Sequence, residues 1–364
     1  MSDLIQVICD NLDRTVEVPA GITLQELREQ LQIEGPYRFL AAYVNNRIKE
    51  LNFRIYTPST VRFIDMTSFE GIRVYQRTIS FILQKTVHDL FPNNTLHIRH
   101  SMGASGFYCE ISGLDPLPEQ HLEAIREQMQ KLIGQDIPIR SGKMLTSTVR
   151  KIYEGFGMDD KIALLDSRPR LYSKLSTLEQ LPGYFYGALA LSTGYTPTFE
   201  LHPYYNGFVL TLPLRTAPTR VQQNIHQEKM FDIFHTYQSW VKIMGVPTVG
   251  QLNSKVLAGD ASELIKIAEA FHENKLAQIA AQIEQANRER GVRLVLISGP
   301  SSSGKTTFAK RLGVQLRILG LQPVLISLDD YFVERTQTPR DENGEYDYEA
   351  LEAIDLKQFN DHLQ

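Results

Sequence analysis

Gly299, Gly304, Lys305 and Thr306 stand at the spacing G-x-x-x-x-G-K-T, behind the apolar run 292–297 (VRLVLI) and ahead of the helical pattern TTFAKRLGVQLRILG. No other feature restricts the fold of this chain as much. The spacing works only where a strand delivers a tight loop to a helix N-terminus, so it predicts a parallel α/β segment. Loop amides then turn inward around an anion, and the helix adds its positive end. A side chain at Gly304 would obstruct that turn, where φ is often positive.

The same geometry assigns roles. Gly299, Ser301, Ser302, Ser303, Gly304, Lys305, Thr306 and Thr307 are the candidate cofactor-binding residues, with Lys305 reaching the β- and γ-phosphates of ATP and the Thr306 hydroxyl ligating Mg2+. Without its flanking strand and helix the segment would read as a solvated Ser/Gly turn. A second apolar run, PVLISLDDYF, predicts another strand with Asp329 and Asp330 just past its end. Ligands of parallel sheets gather beyond the carboxyl ends of the strands, so these carboxylates are expected to face the loop. One would activate a hydroxyl for attack on the γ-phosphate. The competing reading, in which they only cap the following turn, stays open.

Composition sets outer limits. With 42% hydrophobic and 22% charged residues, the 364-residue chain has the profile of a folded protein with several domains. Its formal net charge of -4 argues against a coat for nucleic acid, although a local basic patch is compatible with it. The two cysteines, Cys9 and Cys109, cannot build a disulfide framework or a zinc site alone, which fits a reducing cytoplasm. The start lacks the basic flank and apolar core of a secretory signal. No apolar run of about 18 residues occurs, so no membrane contact is expected.

Ahead of the loop, IQVIC and RTVEV read as strands, followed by a helix, TLQELREQL, that Thr23 and Glu26 would cap, and by strands in FLAAYVNN and TVRFID. This order predicts a ubiquitin-like roll closed near 65–71. Ile79, Phe81, Ile82, Thr86, Val87 and Leu90 then form one apolar face of a helix ended by Pro92. Strand-like LHIRH and GFYCEIS follow, then a helix in PEQHLEAIREQMQKLIG, a broken helix over 141–160, and short strands and turns over 171–214. Helical spacing resumes over 221–287, where Leu264, Ile267, Phe271, Leu276, Ile279 and Ile283 make the stripe of a docking helix.

The run GPSSSGKTTFAKRL, then ISLDDYF, then TPRDENGEYDYEALEAIDLKQFN resembles the uridine kinase family, P-loop nucleoside kinases in which an S-x-D-x-[FY]-[FY] segment supplies the catalytic aspartate. The resemblance implies an ATP-dependent transferase of nucleoside salvage. Asp329 would draw the proton from the 5′-hydroxyl of uridine or cytidine, with Lys305 as the second catalytic residue. Asp347 would hold the ribose hydroxyls, and Phe332 and Tyr346 would lie near the base. The two rings equally read as core packing. A kinase of similar fold acting on another small alcohol, such as phosphoribulose or pantothenate, is the alternative within enzymes.

The opening residues resemble a TGS domain, the ubiquitin-like module of threonyl-tRNA synthetases and some GTPases. From VYQRTISFILQKTVHDLFP through MGASGFYCEIS the chain resembles the second additional, editing-type domain of threonyl-tRNA synthetase. Where that family carries two editing histidines four apart, this chain has Arg77 and Phe81, so editing chemistry is expected to be lost. His88, His97 and His100 lack metal-ligand pairing and read as satisfied or solvated, the last two facing water. The tandem of these parts resembles bacterial nucleoside kinases with N-terminal extensions.

The expected architecture is therefore multidomain α+β and α/β: a TGS-like β-grasp domain over 1–66, a synthetase-editing-like α+β domain over 67–215, a helical connector over 216–288, and the N-terminal part of a P-loop nucleoside kinase domain over 289–364. Two candidate strands cannot complete a P-loop sheet and the chain stops inside the helical pattern DLKQFNDHLQ, so Gln364 reads as a truncation and the fragment as inactive. Expected partners are a nucleoside and ATP, with RNA contact, nucleotide sensing or homo-oligomerisation open for the front half. A rival from another class is an RNA- or tRNA-binding regulator that uses the loop as a nucleotide switch.

Overall fold

The computed structural model describes residues 3–103, 105–221 and 226–363. Ala104, residues 222–225 at the start of the helical stretch expected from 221, and Gln364, read above as a truncation point, lie outside the described residues. The chain divides into two units, Met1–Asp260 and Ala261–Gln364.

In the first unit, alternation builds the opening strand. Ile5, Val7 and Cys9 of Leu4–Cys9 (β1) are buried while their neighbours face outward. Arg14–Pro19 (β2), Ile22–Thr23 (β3), the helix Leu24–Gln30 (α1), Ala41–Val44 (β4), Arg47–Lys49 (β5), Arg54–Ile55 (β6) and Ser59–Ile64 (β7) follow. The main sheet has the order β2-β1-β7-β4-β5, and β3 pairs with β6. Only β1 and β7 run parallel. Thr23 and Glu26 form the expected capping box: the Thr23 hydroxyl accepts from the Glu26 amide, and the Glu26 carboxylate accepts from the Thr23 amide at 2.8 Å.

The chain then turns at Asp65, whose carboxylate accepts from the Thr67 amide at 2.9 Å, into the long helix Phe69–Leu90 (α2), capped by the Ser68 hydroxyl. Next come Leu96–Met102 (β8), Gly106–Ile111 (β9), Glu119–Gly134 (α3), Ile139–Leu145 (β10), Thr146–Gly155 (α4), Asp159–Asp166 (α5), Tyr172–Leu178 (β11), Leu181–Gly183 (β12), Glu200–Tyr204 (β13), Gly207–Thr211 (β14), Pro213–Leu214 (β15), Ala217–Val221 (β16), Glu228–Ile243 (α6) and Val249–Leu257 (α7). They form a β13-β14-β9-β8 sheet, a β10-β11-β12 sheet and the β15-β16 pair. The broken helix expected over 141–160 is corrected at its start. Ser141 and Lys143 pair with Ser176 and Lys174 in an antiparallel ladder, so long-range pairing overrides local spacing.

One core runs from Ile5 through α2 to Leu212. Ile79, Phe81, Ile82, Thr86 and Val87 of α2 are buried in it. Polar joints seal its edges: the buried Tyr75 hydroxyl donates to the Thr198 carbonyl at 2.7 Å, and Glu50 receives both Lys174 at 2.6 Å and the Leu189 amide at 3.1 Å.

The second unit is built on Ala261–Arg290 (α8), Lys305–Ile318 (α9) and Leu356–Leu363 (α10). Leu276 and Ala280 of α8 close on Leu312 and Leu316 of α9, with Ile279, Ile283 and Phe308 around them. Arg311 donates to Glu273 at 2.8 Å beside this seam. The two apolar runs expected as strands are not strands: residues 292–297 and 321–327 have extended or irregular backbone without ladder pairing. Leu296 is 82% and Val324 84% exposed. A parallel strand is held by neighbours and by helices covering both faces, and among the described residues of this unit these runs have no such neighbours. No helix of the described residues is long and apolar enough to cross a membrane.

Candidate functional site

The loop at 299–306 has the curl that its spacing demands. Ser302 (φ 58°) and Gly304 (φ 85°) occupy the left-handed region, and Gly304 is the N-cap of α9. Ser303 donates its amide to the Pro300 carbonyl at 3.2 Å, closing the turn. A Cβ on Gly299 would come within 2.8 Å of the Ser303 hydroxyl oxygen, which rotation of that side chain relieves, so glycine is called for by the dihedral angle at Gly304. The Lys305 ammonium folds back onto the loop, donating to the carbonyls of Gly299 at 2.9 Å and Pro300 at 3.0 Å. No acidic residue occupies the first turn of α9, so the positive end of its dipole is not offset locally. Ser301, Ser302, Ser303, Thr306 and Thr307 all face outward. The loop thus places an ammonium and exposed hydroxyls at the N-terminus of α9.

The acidic and aromatic candidates downstream are gathered separately. Asp329 and Asp330 lie exposed in the single 3-10 turn Leu328–Tyr331, not at the end of a sheet strand. No hydrogen bond or ion pair joins either to the loop among the described residues. Their expected position facing the loop depended on a parallel sheet that is not formed. Asp347 turns its carboxylate onto the Glu349 amide at 3.0 Å, the self-capping habit of Asp in turns. Tyr348 links the two candidate rings: its centroid lies 6.4 Å from Phe332 and 6.3 Å from Tyr346. Arg340 also covers the Tyr346 ring at 4.4 Å.

In the first unit Phe81 is fully buried against Phe185, with ring centroids 4.9 Å apart. Arg77, on the same helix, reaches the Ala188 carbonyl at 3.4 Å, and burial depresses its pKa, with Arg73 adding repulsion. Neither side chain offers a neutral base. The expectation that His97 and His100 face water is corrected. His100 is buried and stacks on Phe234 at 4.2 Å, neither ring nitrogen has a hydrogen-bond partner, and His97 Nε2 meets the Ser112 hydroxyl at 2.8 Å.

A basic and aromatic strand pair went unread in the sequence. Lys143 of β10 stands directly opposite Lys174 of β11. Like charges so placed repel. Lys174 is neutralised by Glu50, whereas Lys143 is exposed, as are Arg140, Arg170 and the flanking Tyr172. Arg168 donates to the Tyr184 hydroxyl and lies 5.7 Å over the ring of Tyr186, itself 69% exposed. The signal was legible: RPRLYSK (168–174) interleaves three cations with a tyrosine.

No family model matches the chain. Curated relatives named threonine–tRNA ligase do. That of Symbiobacterium thermophilum is 29% identical over 153 residues, 42% of this chain and 23% of the relative. Those of Chlamydia caviae (28% over 136 residues, 37% and 20%) and Syntrophomonas wolfei (23% over 164 residues, 45% and 26%) match similarly. The chain thus spans about a quarter of the length of the relatives it matches. Its N-terminal region is similar to threonine–tRNA ligases. The nucleoside kinase expected from the resemblance of the loop region is overturned by these relatives, which are ligases of tRNA and not phosphotransferases, and uridine or cytidine is withdrawn as substrate.

Proposed function

We propose that this chain is an RNA-binding protein of the tRNA-recognising type whose nucleotide loop acts as a switch. The observation that carries the reading is the similarity over 153 residues to proteins named for their action on tRNA. The first unit supports it with the five-stranded sheet β2-β1-β7-β4-β5 and the exposed cations of the β10–β11 pair. Cations position phosphates, and tyrosines such as Tyr172 and Tyr186 stack on unpaired bases. Against a net charge of -4, such a local patch gives contact with RNA a defined place on the surface.

The loop of the second unit is assigned to ATP with Mg2+. Gly299, Ser301, Ser302, Ser303, Gly304 and Thr307 would supply amides, and Lys305 would exchange its two carbonyl partners for the β- and γ-phosphates. Thr306 would ligate the metal. Phosphates fit the curl because its left-handed residues and the unopposed helix dipole favour negative charge there. The buried, unpaired thiols of Cys9 and Cys109 suit a cytoplasmic location.

Coupling is the test of the switch. The affinity of the full chain for bulk tRNA, measured by fluorescence anisotropy, should change about 5-fold or more when Mg·ATP is added, and Lys305→Ala should abolish the change. An affinity identical with and without Mg·ATP rejects the switch.

A further inference from the structure

The first two turns of α2 and the β15–β16 turn flank an open cavity of about 350 Å3 that neither the RNA face nor the nucleotide loop uses. Its walls are Phe69, Ile72, Pro213 and Leu214, and its polar groups include Arg73, Gln76 and Arg215; no carboxylate lines it. The nearest acidic residue in sequence, Glu70, acts on Tyr43, whose pKa it helps to raise behind the larger effect of burial. Arg215 is held in place. Its guanidinium stacks 3.6 Å over the Phe69 ring, and one N–H reaches the Thr67 carbonyl at 3.3 Å, leaving the other donors of the fork free. Among the described residues no ion pair engages Arg73 or Arg215. Glu70 in the first turn of α2 offsets the positive dipole end of that helix, so the positive charge at the cavity rests on the two arginines.

We propose that this cavity binds a small phosphorylated ring compound of mononucleotide size. The phosphate lies between the Arg73 and Arg215 guanidinium groups, which match its oxygens bidentately. The ring of the ligand rests on Ile72, Pro213 and Leu214, with the Gln76 amide available to its polar edge. The volume falls within the range of about 300–1,000 Å3 usual for small-molecule sites.

The experiment is calorimetric titration of adenosine monophosphate, inorganic phosphate and a 5′-phosphorylated RNA decamer into the full chain carrying Lys305→Ala, which silences the nucleotide loop. Adenosine monophosphate should bind at one site with a Kd below about 1 mM. Arg73→Gln and Arg215→Gln should each weaken it at least tenfold, with inorganic phosphate competing. Leu214→Trp, which fills the cavity without altering charge, should weaken it similarly, and circular dichroism of each variant checks the fold. No binding of adenosine monophosphate, or binding indifferent to all three substitutions, overturns the proposal. Binding of the decamer alone, lost in both arginine variants, also overturns it by assigning the phosphate to a strand. None of these outcomes depends on whether the protein recognises tRNA.

Discussion

His100 shows what burial does to a single titratable side chain. Desolvation holds its pKa below the usual histidine value, with the Glu110 carboxylate opposing and the Arg99 guanidinium reinforcing the shift. His97 is lowered likewise, by burial first and then by Arg99. A base whose folded pKa is depressed binds protons more readily in the unfolded chain. The stability of its neutral form is thus complete above about pH 6.5 and is lost as pH falls toward the folded value. Urea unfolding should therefore have a lower midpoint at pH 5 than at pH 7.5. His100→Phe, which keeps the stack on Phe234, should reduce that difference. An unchanged pH dependence in the variant would refute the assignment. The sequence could not reveal this, because alternation along β8 does not report that Phe231 and Phe234 arrive from α6, more than a hundred residues away, to cover the ring. By contrast the Thr23–Glu26 capping box and the positive φ of Gly304 were legible at residue level, since each depends on neighbours within a few positions.

Among elements, helices whose apolar stripes meet a partner are the ones the sequence identifies well. The α8 stripe meets Leu312 and Leu316, and truncating Leu312→Ala should cost the second unit about 2–4 kcal/mol, read as a lower urea midpoint for α8–α9 unfolding. A change below about 0.5 kcal/mol would mean that the seam does not hold the unit together. The runs at 292–297 and 321–327 make the complementary case. Their β-propensity is plain, yet strand formation is a property of pairs, and the exposed side chains of Leu296 and Val324 have no pairing neighbours among the described residues. Such runs promote association. Leu296→Glu combined with Val324→Lys should lower concentration-dependent light scattering by the full chain; equal scattering would show that other surfaces drive association. The misread start of β10 has the same origin: its partner, β11, lies about thirty residues on.

At the scale of the whole molecule, the loop dominated the reading of the sequence while the first unit holds most of the fold and the similarity to tRNA ligases. A phosphate loop is a local device, compatible with many activities, and its spacing alone names an anion rather than a reaction. The RNA reading rests instead on the exposed cations of the β10–β11 region, where Lys143 and Lys174 come together only through long-range pairing. Its strength must therefore depend on counterion release and on the shape of the RNA together. The direct measurement is equilibrium binding of tRNA, and of an unstructured RNA of equal length, to the full chain across a salt series. We expect tRNA to bind at least about tenfold more tightly than the unstructured strand, with log K falling linearly as log salt rises. Equal affinity for the two RNAs, or no saturable tRNA binding at low salt, would contradict the assignment.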